Sequence, residues 1–107
     1  MPKKKAASLK IRWPHLEFTN TWFAGLKVAL KGNEFTLGKA LDNNVCLDDP
    51  AVAQDHAVIR KTAKGYEVED LDSQTGTFIN GKEIKQRYLL QNGNLMKIGP
   101  FELKFHV

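Results

Sequence analysis

Cysteine is nearly absent: Cys46 is the single one in 107 residues, which excludes an internal disulfide framework and any cysteine-rich metal site. It lies between Val45 and Leu47 with no histidine or basic residue adjoining it, so it reads as a small strand side chain and not as a reactive thiol. No apolar run approaches the roughly 20 residues that a membrane span requires. The opening Met1-Pro2-Lys3-Lys4-Lys5 is basic, but no apolar stretch of signal-peptide length follows it. Pro2 stands where N-myristoylation needs glycine, and no prenylation cysteine lies near the C-terminus. Nothing repeats at a fixed period, which argues against a solenoid or propeller. Together these absences predict a cytoplasmic chain.

Catalytic signatures are missing as well. There is no Gly-rich phosphate cradle, nucleophile elbow or metal-ligand spacing. The three histidines, His15, His56 and His106, are scattered. Only His56 has an acid beside it, Asp55, and successive strand residues point to opposite faces. The acids Glu67, Glu69, Asp70 and Asp72 read as a solvated strand face running into a turn. The expectation is a non-enzyme with no cofactor, no metal and no small-molecule substrate.

What is present is an ordinary globular composition, 42% hydrophobic and 26% charged, in a chain long enough for one core. The net charge of +4 is unevenly placed. Residues 1–12 hold Lys3, Lys4, Lys5, Lys10 and Arg12 with no acid, leaving 11 basic and 12 acidic groups for the rest. The basic character therefore belongs to a flexible tail, residues 1–8, ahead of a single domain over residues 9–107. Such a tail could touch nucleic acid or acidic lipid, but a solvated terminus accounts for it, and nucleic acid is not the expected partner.

Leu9-Lys10-Ile11-Arg12-Trp13 alternates apolar and basic residues as a strand does, and Pro14 ends it. Residues 15–25 carry Phe18, Trp22 and Phe23 without clear period; they either seal one end of the core or form an aromatic docking patch. From Leu26 onward the pattern is regular. Lys27–Leu30 and Glu34–Leu37 bracket Lys31-Gly32-Asn33 as a hairpin signal. Val45–Leu47 is a short strand, and His56–Arg60 and Tyr66–Leu71 flank a loop ending in Lys64-Gly65. Leu89-Leu90 and Leu95–Ile98 follow, and Phe101, Leu103 and Phe105 alternate with polar residues after Gly99-Pro100. About ten to eleven short strands with no helical periodicity predict an all-β, antiparallel β-sandwich or barrel.

The stretch Ser73-Gln74-Thr75-Gly76-Thr77-Phe78-Ile79-Asn80-Gly81 organises the rest. Asn80-Gly81 is a strong signal for a two-residue type I′ turn between Thr77–Ile79 and Lys82–Ile84. Gly76 precedes the first of these strands, where a reversal exposes Gln74 and Thr75. The segment reads as a β frame holding a small polar loop.

Phe35–Lys39, Asn43–Leu47 and Val52–Ala57, followed by Tyr66–Leu71, Ser73–Gly81, Leu90–Gly93 and Ile98-Gly99, resemble the forkhead-associated (FHA) pattern in order and spacing, over residues 25–105. The resemblance implies a sandwich of two twisted sheets whose loops at one end bind peptides carrying phosphothreonine. It implies a non-catalytic docking module whose partner is a protein or peptide. It also implies that Gly38, His56, Gly76, Thr77 and Gly81 hold the loops in place.

The ligand-contacting positions depart from that family. Lys39 replaces its phosphate-binding arginine, keeping the charge but losing the bidentate fork. Ala53 replaces a serine whose hydroxyl meets the phosphate. Gln54 and Gln74 keep amide donors, Thr75 stands for an asparagine that contacts the ligand backbone, and Asn80 completes the candidate set. Two readings stay open: a phosphothreonine reader with an atypical pocket, or a degenerate domain assembling with its partner independently of phosphorylation.

Overall fold

Period-2 alternation gives each strand one apolar face, and two sheets built from such strands bury those faces against each other. The computed structural model describes residues 14–107, in which eleven strands and no helix are formed. They are β1 (His15–Phe18), β2 (Lys27–Ala29), β3 (Glu34–Gly38), β4 (Val45–Cys46), β5 (Ala57–Thr62), β6 (Gly65–Asp70), β7 (Thr77–Ile79), β8 (Lys82–Glu83), β9 (Tyr88–Leu89), β10 (Leu95–Ile98) and β11 (Phe101–His106). One sheet has the order β2-β1-β11-β10-β7-β8 and the other β4-β3-β5-β6-β9. Leu16, Met96, Ile98, Leu103 and Phe105 from the first meet Leu37, Ile59 and Val68 from the second, all buried. The all-β sandwich read from the sequence is the observed architecture. The tail over residues 1–8 and the strand expected at Leu9–Trp13 lie outside the described residues. Among the described residues, no helix is long and apolar enough to cross a membrane.

Three features differ from the sequence reading. The segment Lys31-Gly32-Asn33 does not close a hairpin: β2 pairs with β1, whereas β3 pairs with β5 in the opposite sheet. Gly32 supplies the positive φ of 86° that a turn needs, but Leu30 is buried and its N–H donates to the Pro14 carbonyl (2.7 Å). That ladder holds the chain to β1 until it crosses. The sandwich is also not wholly antiparallel, because β4 runs parallel to β3. Two bonds fold the intervening loop down beside β3: Asn44 Oδ1 accepts from Thr36 N–H (2.7 Å), and Asn44 N–H donates to Thr36 Oγ1 (3.0 Å). Finally, His15–Phe18 form a regular strand, with Leu16 and Phe18 buried.

The aromatics of residues 15–25 divide. Phe18 and Phe23 pack against Phe101 at the end of the core, whereas Trp22 is 98% exposed. On the outer face of β5 and β6 Glu69 is paired rather than solvated, whereas Asp72 is exposed as expected. Arg60 bonds Glu34 and Glu69 at once, and Glu69 also meets Arg87 at 3.6 Å. The hydrogen bond from Arg60, more than its charge, holds the Glu69 carboxyl below the ordinary glutamate range, against an opposing push from desolvation.

Phe105→Ala is expected to lower stability by about 3–5 kcal/mol, because it empties the centre of the core. Trp22→Ala should stay within about 0.5 kcal/mol; chemical denaturation checks both. A carboxyl whose folded pKa is depressed stabilises the fold above its unfolded pKa and loses that contribution as pH falls through the folded value. Glu69→Gln should therefore flatten the acid side of the stability–pH curve, below the ordinary glutamate pKa of 4.5.

Candidate functional site

The β3–β4 loop begins where β3 can come no closer to its neighbour. A Cβ on Gly38 would collide with the Gln54 carbonyl and lie 2.8 Å from Asn43 Nδ2, so this position requires glycine for close approach. Beyond it, Lys39 N–H donates to the Ala53 carbonyl (2.9 Å) and Ala40 N–H to the Gln54 carbonyl (3.1 Å). Asn43 Nδ2 reinforces the seam by donating to the carbonyls of both Ala40 (2.9 Å) and Gln54 (2.8 Å). The β3–β4 and β4–β5 loops are thus stitched together, bringing Lys39, Ala53 and Gln54 side by side. Lys39 is half-buried. Its ammonium has no acceptor among the described residues, while its backbone carbonyl accepts from Cys46 Sγ (3.2 Å).

His56 joins these loops to the β6–β7 loop. Its ring is fully buried. Ala53 N–H donates to Nδ1 (3.0 Å), and Nε2 lies 2.9 Å from the Gly76 carbonyl. A backbone N–H can only donate, so Nδ1 must be the unprotonated nitrogen and Nε2–H the donor to Gly76. The Asp70 carboxylate lies 3.7 Å from Nε2.

Asp70 organises the β6–β7 loop in turn. Oδ2 accepts from Ser73 N–H (2.9 Å), and Oδ1 accepts from the Ser73 hydroxyl and from Thr77 Oγ1 (2.7 Å). Ser73 Oγ then accepts from Gly76 N–H (2.9 Å). Gly76 has φ of +88° and Asp72 of +57°, left-handed values for which an Asx-type turn is suited. Thr77 is fully buried with its hydroxyl satisfied.

This loop presents Gln74 and Thr75, both exposed. Thr75 Oγ1 donates to the Ala51 carbonyl (2.6 Å), which adds a second tie between the β4–β5 and β6–β7 loops. It also engages the hydroxyl proton, so Thr75 meets a ligand as an acceptor and not as the donor expected from its residue type. Asn80 has φ of +50° and Gly81 of +87°, which fits the type I′ turn of the β7–β8 hairpin. Asn80 Oδ1 accepts from Leu95 N–H (2.8 Å), tying that turn to β10. Asn80 and Thr75 line one groove with Phe78, Leu95 and Lys97. Lys39, Ala53 and Gln54 lie outside it.

Sequence reasoning missed Asn43, Ser73 and the structural use of Asp70. The usable signal was local: an Asp leaving a strand three residues before a Ser, which is Asx-turn spacing. The bond from Thr75 to Ala51 had no such signal.

The FHA domain family model matches residues 35–99. The oxoglutarate dehydrogenase inhibitor of Corynebacterium jeikeium is 37% identical over 82 residues, 77% of this chain and 56% of that protein. The inhibitor of Corynebacterium glutamicum is 33% identical over 82 residues, 77% of this chain and 57% of its own length. The chain thus spans little more than half the length of these relatives. The structure of Mycobacterium tuberculosis EmbR in complex with a low-affinity phosphopeptide superposes with a TM-score of 0.83 at 27% identity, covering 94% of this chain and 26% of that one.

His56→Ala is expected to cost about 2–4 kcal/mol, since it strands the Ala53 N–H and the Gly76 carbonyl. Asp70→Asn should cost about 1–3 kcal/mol by setting an amide donor against Ser73 N–H. Denaturation gives the magnitudes. Amide hydrogen exchange should show lost protection at Ala53 in the first variant and at Ser73 and Gly76 in the second. The sandwich, the loops locked around His56 and the match over residues 35–99 agree, and this chain belongs to the FHA domain family of protein-interaction modules.

Proposed function

We propose that this chain is a non-catalytic, cytoplasmic module that binds a phosphothreonine-bearing segment of a partner protein across the β3–β4, β4–β5 and β6–β7 loops. The observation that carries the reading is Lys39. Lys39 is a half-buried residue whose backbone lies at the seam of loops that two hydrogen bonds of His56 hold still, and its ammonium has no acceptor among the described residues. A phosphate dianion is the acceptor such a group lacks. Lys39 binds it as a point charge, and the side-chain amides of Gln54 and Gln74 add donors at either side. The names of the corynebacterial relatives support a regulatory role, and an oxoglutarate dehydrogenase is the first partner to test.

A second reading, assembly without phosphate, is favoured by residue 53. Ala53 has no side-chain donor, and its N–H is already engaged by His56 Nδ1. Residue 53 therefore gives the phosphate nothing.

Calorimetric titration against a phosphothreonine peptide library and its unphosphorylated twin tests both. The reader predicts micromolar binding that requires the phosphate. Lys39→Ala should weaken it about ten- to a hundredfold, the worth of one hydrogen bond to a charged group, with unchanged stability. Lys39→Arg with Ala53→Ser should strengthen it. Full-strength binding by Lys39→Ala would overturn the phosphate reading in favour of assembly through another surface.

A further inference from the structure

The connection between β1 and β2 is built to hold an aromatic ring in water. Thr19 N–H donates to the Glu102 carbonyl (2.9 Å) and Thr19 Oγ1 to Glu102 Oε1 (2.6 Å). Asn20 bonds the β10–β11 turn and the start of β11, donating from Nδ2 to the Pro100 carbonyl (3.0 Å) and accepting Glu102 N–H (2.9 Å). Phe23 anchors the other flank against Phe18, with ring centroids 5.3 Å apart. Between these anchors Thr21 adopts φ of +61°, a conformation that β-branched residues rarely take. Trp22 follows it, 98% exposed. A fixed loop with a solvated indole does not serve the core.

Asp48 and Asp49 line one open trough together with Trp22, Phe23, Pro100 and Phe101. The Asp48 carboxylate is exposed and has no cationic partner among the described residues. The trough is tied to the candidate site through the β4–β5 loop. Asp49 Oδ1 accepts Ala51 N–H (2.8 Å), and the Ala51 carbonyl accepts the Thr75 hydroxyl (2.6 Å). Three consecutive residues of one loop therefore join the acidic wall to the loop that presents Gln74 and Thr75.

We propose that this trough is a second subsite for the partner segment, taking an arginine side chain that flanks its phosphothreonine. An indole face attracts a guanidinium through its quadrupole, and guanidinium stacks on aromatic rings while presenting N–H donors in plane. Trp22 offers the face and Asp48 the carboxylate, an arrangement that selects a planar cation over an aliphatic side chain. The module then reads two charges of opposite sign, phosphate at Lys39 and guanidinium at Trp22. This rests on the phosphopeptide reading given above.

The test is calorimetric titration with a phosphothreonine peptide set in which one arginine is moved through each flanking position. Three forms of the protein are compared: wild type, Trp22→Ala and Asp48→Asn. Arginine at one favoured position should strengthen wild-type binding about three- to tenfold. Both variants should lose that gain while binding arginine-free phosphopeptides as wild type does, and lysine at the same position should give a smaller gain. If arginine-free phosphopeptides bind and arginine adds nothing at any position, the trough is overturned and the phosphate reading stands. If no phosphopeptide binds wild type, the phosphate reading falls and the second subsite falls with it. Neither substitution touches a buried residue, so loss of fold does not confuse the outcome.

Discussion

One buried imidazole sets the geometry of the binding end. His56 sits at the top of β5 with no solvent contact, accepting a hydrogen bond from Ala53 N–H on one nitrogen and donating one to the Gly76 carbonyl from the other. A rigid ring with an acceptor and a donor at fixed separation makes the distance between two loops a matter of covalent geometry. Without it, two polar backbone groups would be left without partners at the end of the core, where each is expensive. The remaining ties follow in order. Asp70 shapes the loop that His56 grips, Thr75 closes that loop onto Ala51, and Asn43 extends the frame to Lys39.

So complete a network has a chemical consequence. The backbone N–H groups of Lys39, Ala40, Ala53 and Gly76 all donate within the protein. Rigidity is gained by engaging the groups that could otherwise face an anion. At those four positions only side chains are left to meet a ligand, and the polar ones beside them are those of Lys39, Gln54 and Gln74. A lysine and two amides set together offer one point charge and few directional donors.

Much of the fold was legible because strands advertise themselves locally. The alternation Phe101, Leu103, Phe105 marked β11, and Asn80-Gly81 marked a turn whose positive φ values few other pairs accept. What was not legible was non-local. Gly32 marked a reversal correctly, but whether the chain stays in its sheet or crosses depends on where Leu30 and Phe35 are buried, and no window around Gly32 contains that. The strand at His15–Phe18 was hidden because two buried positions are too few to show a period. Within the site, residue types named the candidates, but the destination of a hydroxyl proton is a property of the assembled loops. Thr75 looked like a donor until Ala51 lay 2.6 Å away.

The pairing of β1 with β11 has its own consequence. His15 lies opposite His106, their rings stacked 4.6 Å apart, at the end of the two strands far from the Gly99-Pro100 turn. His15 and His106 therefore lie together at the pole opposite the loops around His56, like the two leads of a plug. The interval between these two points is bridged by a single cross-strand pair. The domain can thus be inserted into a loop of a host protein, or its ends joined and reopened elsewhere, with the recognition surface still facing outward.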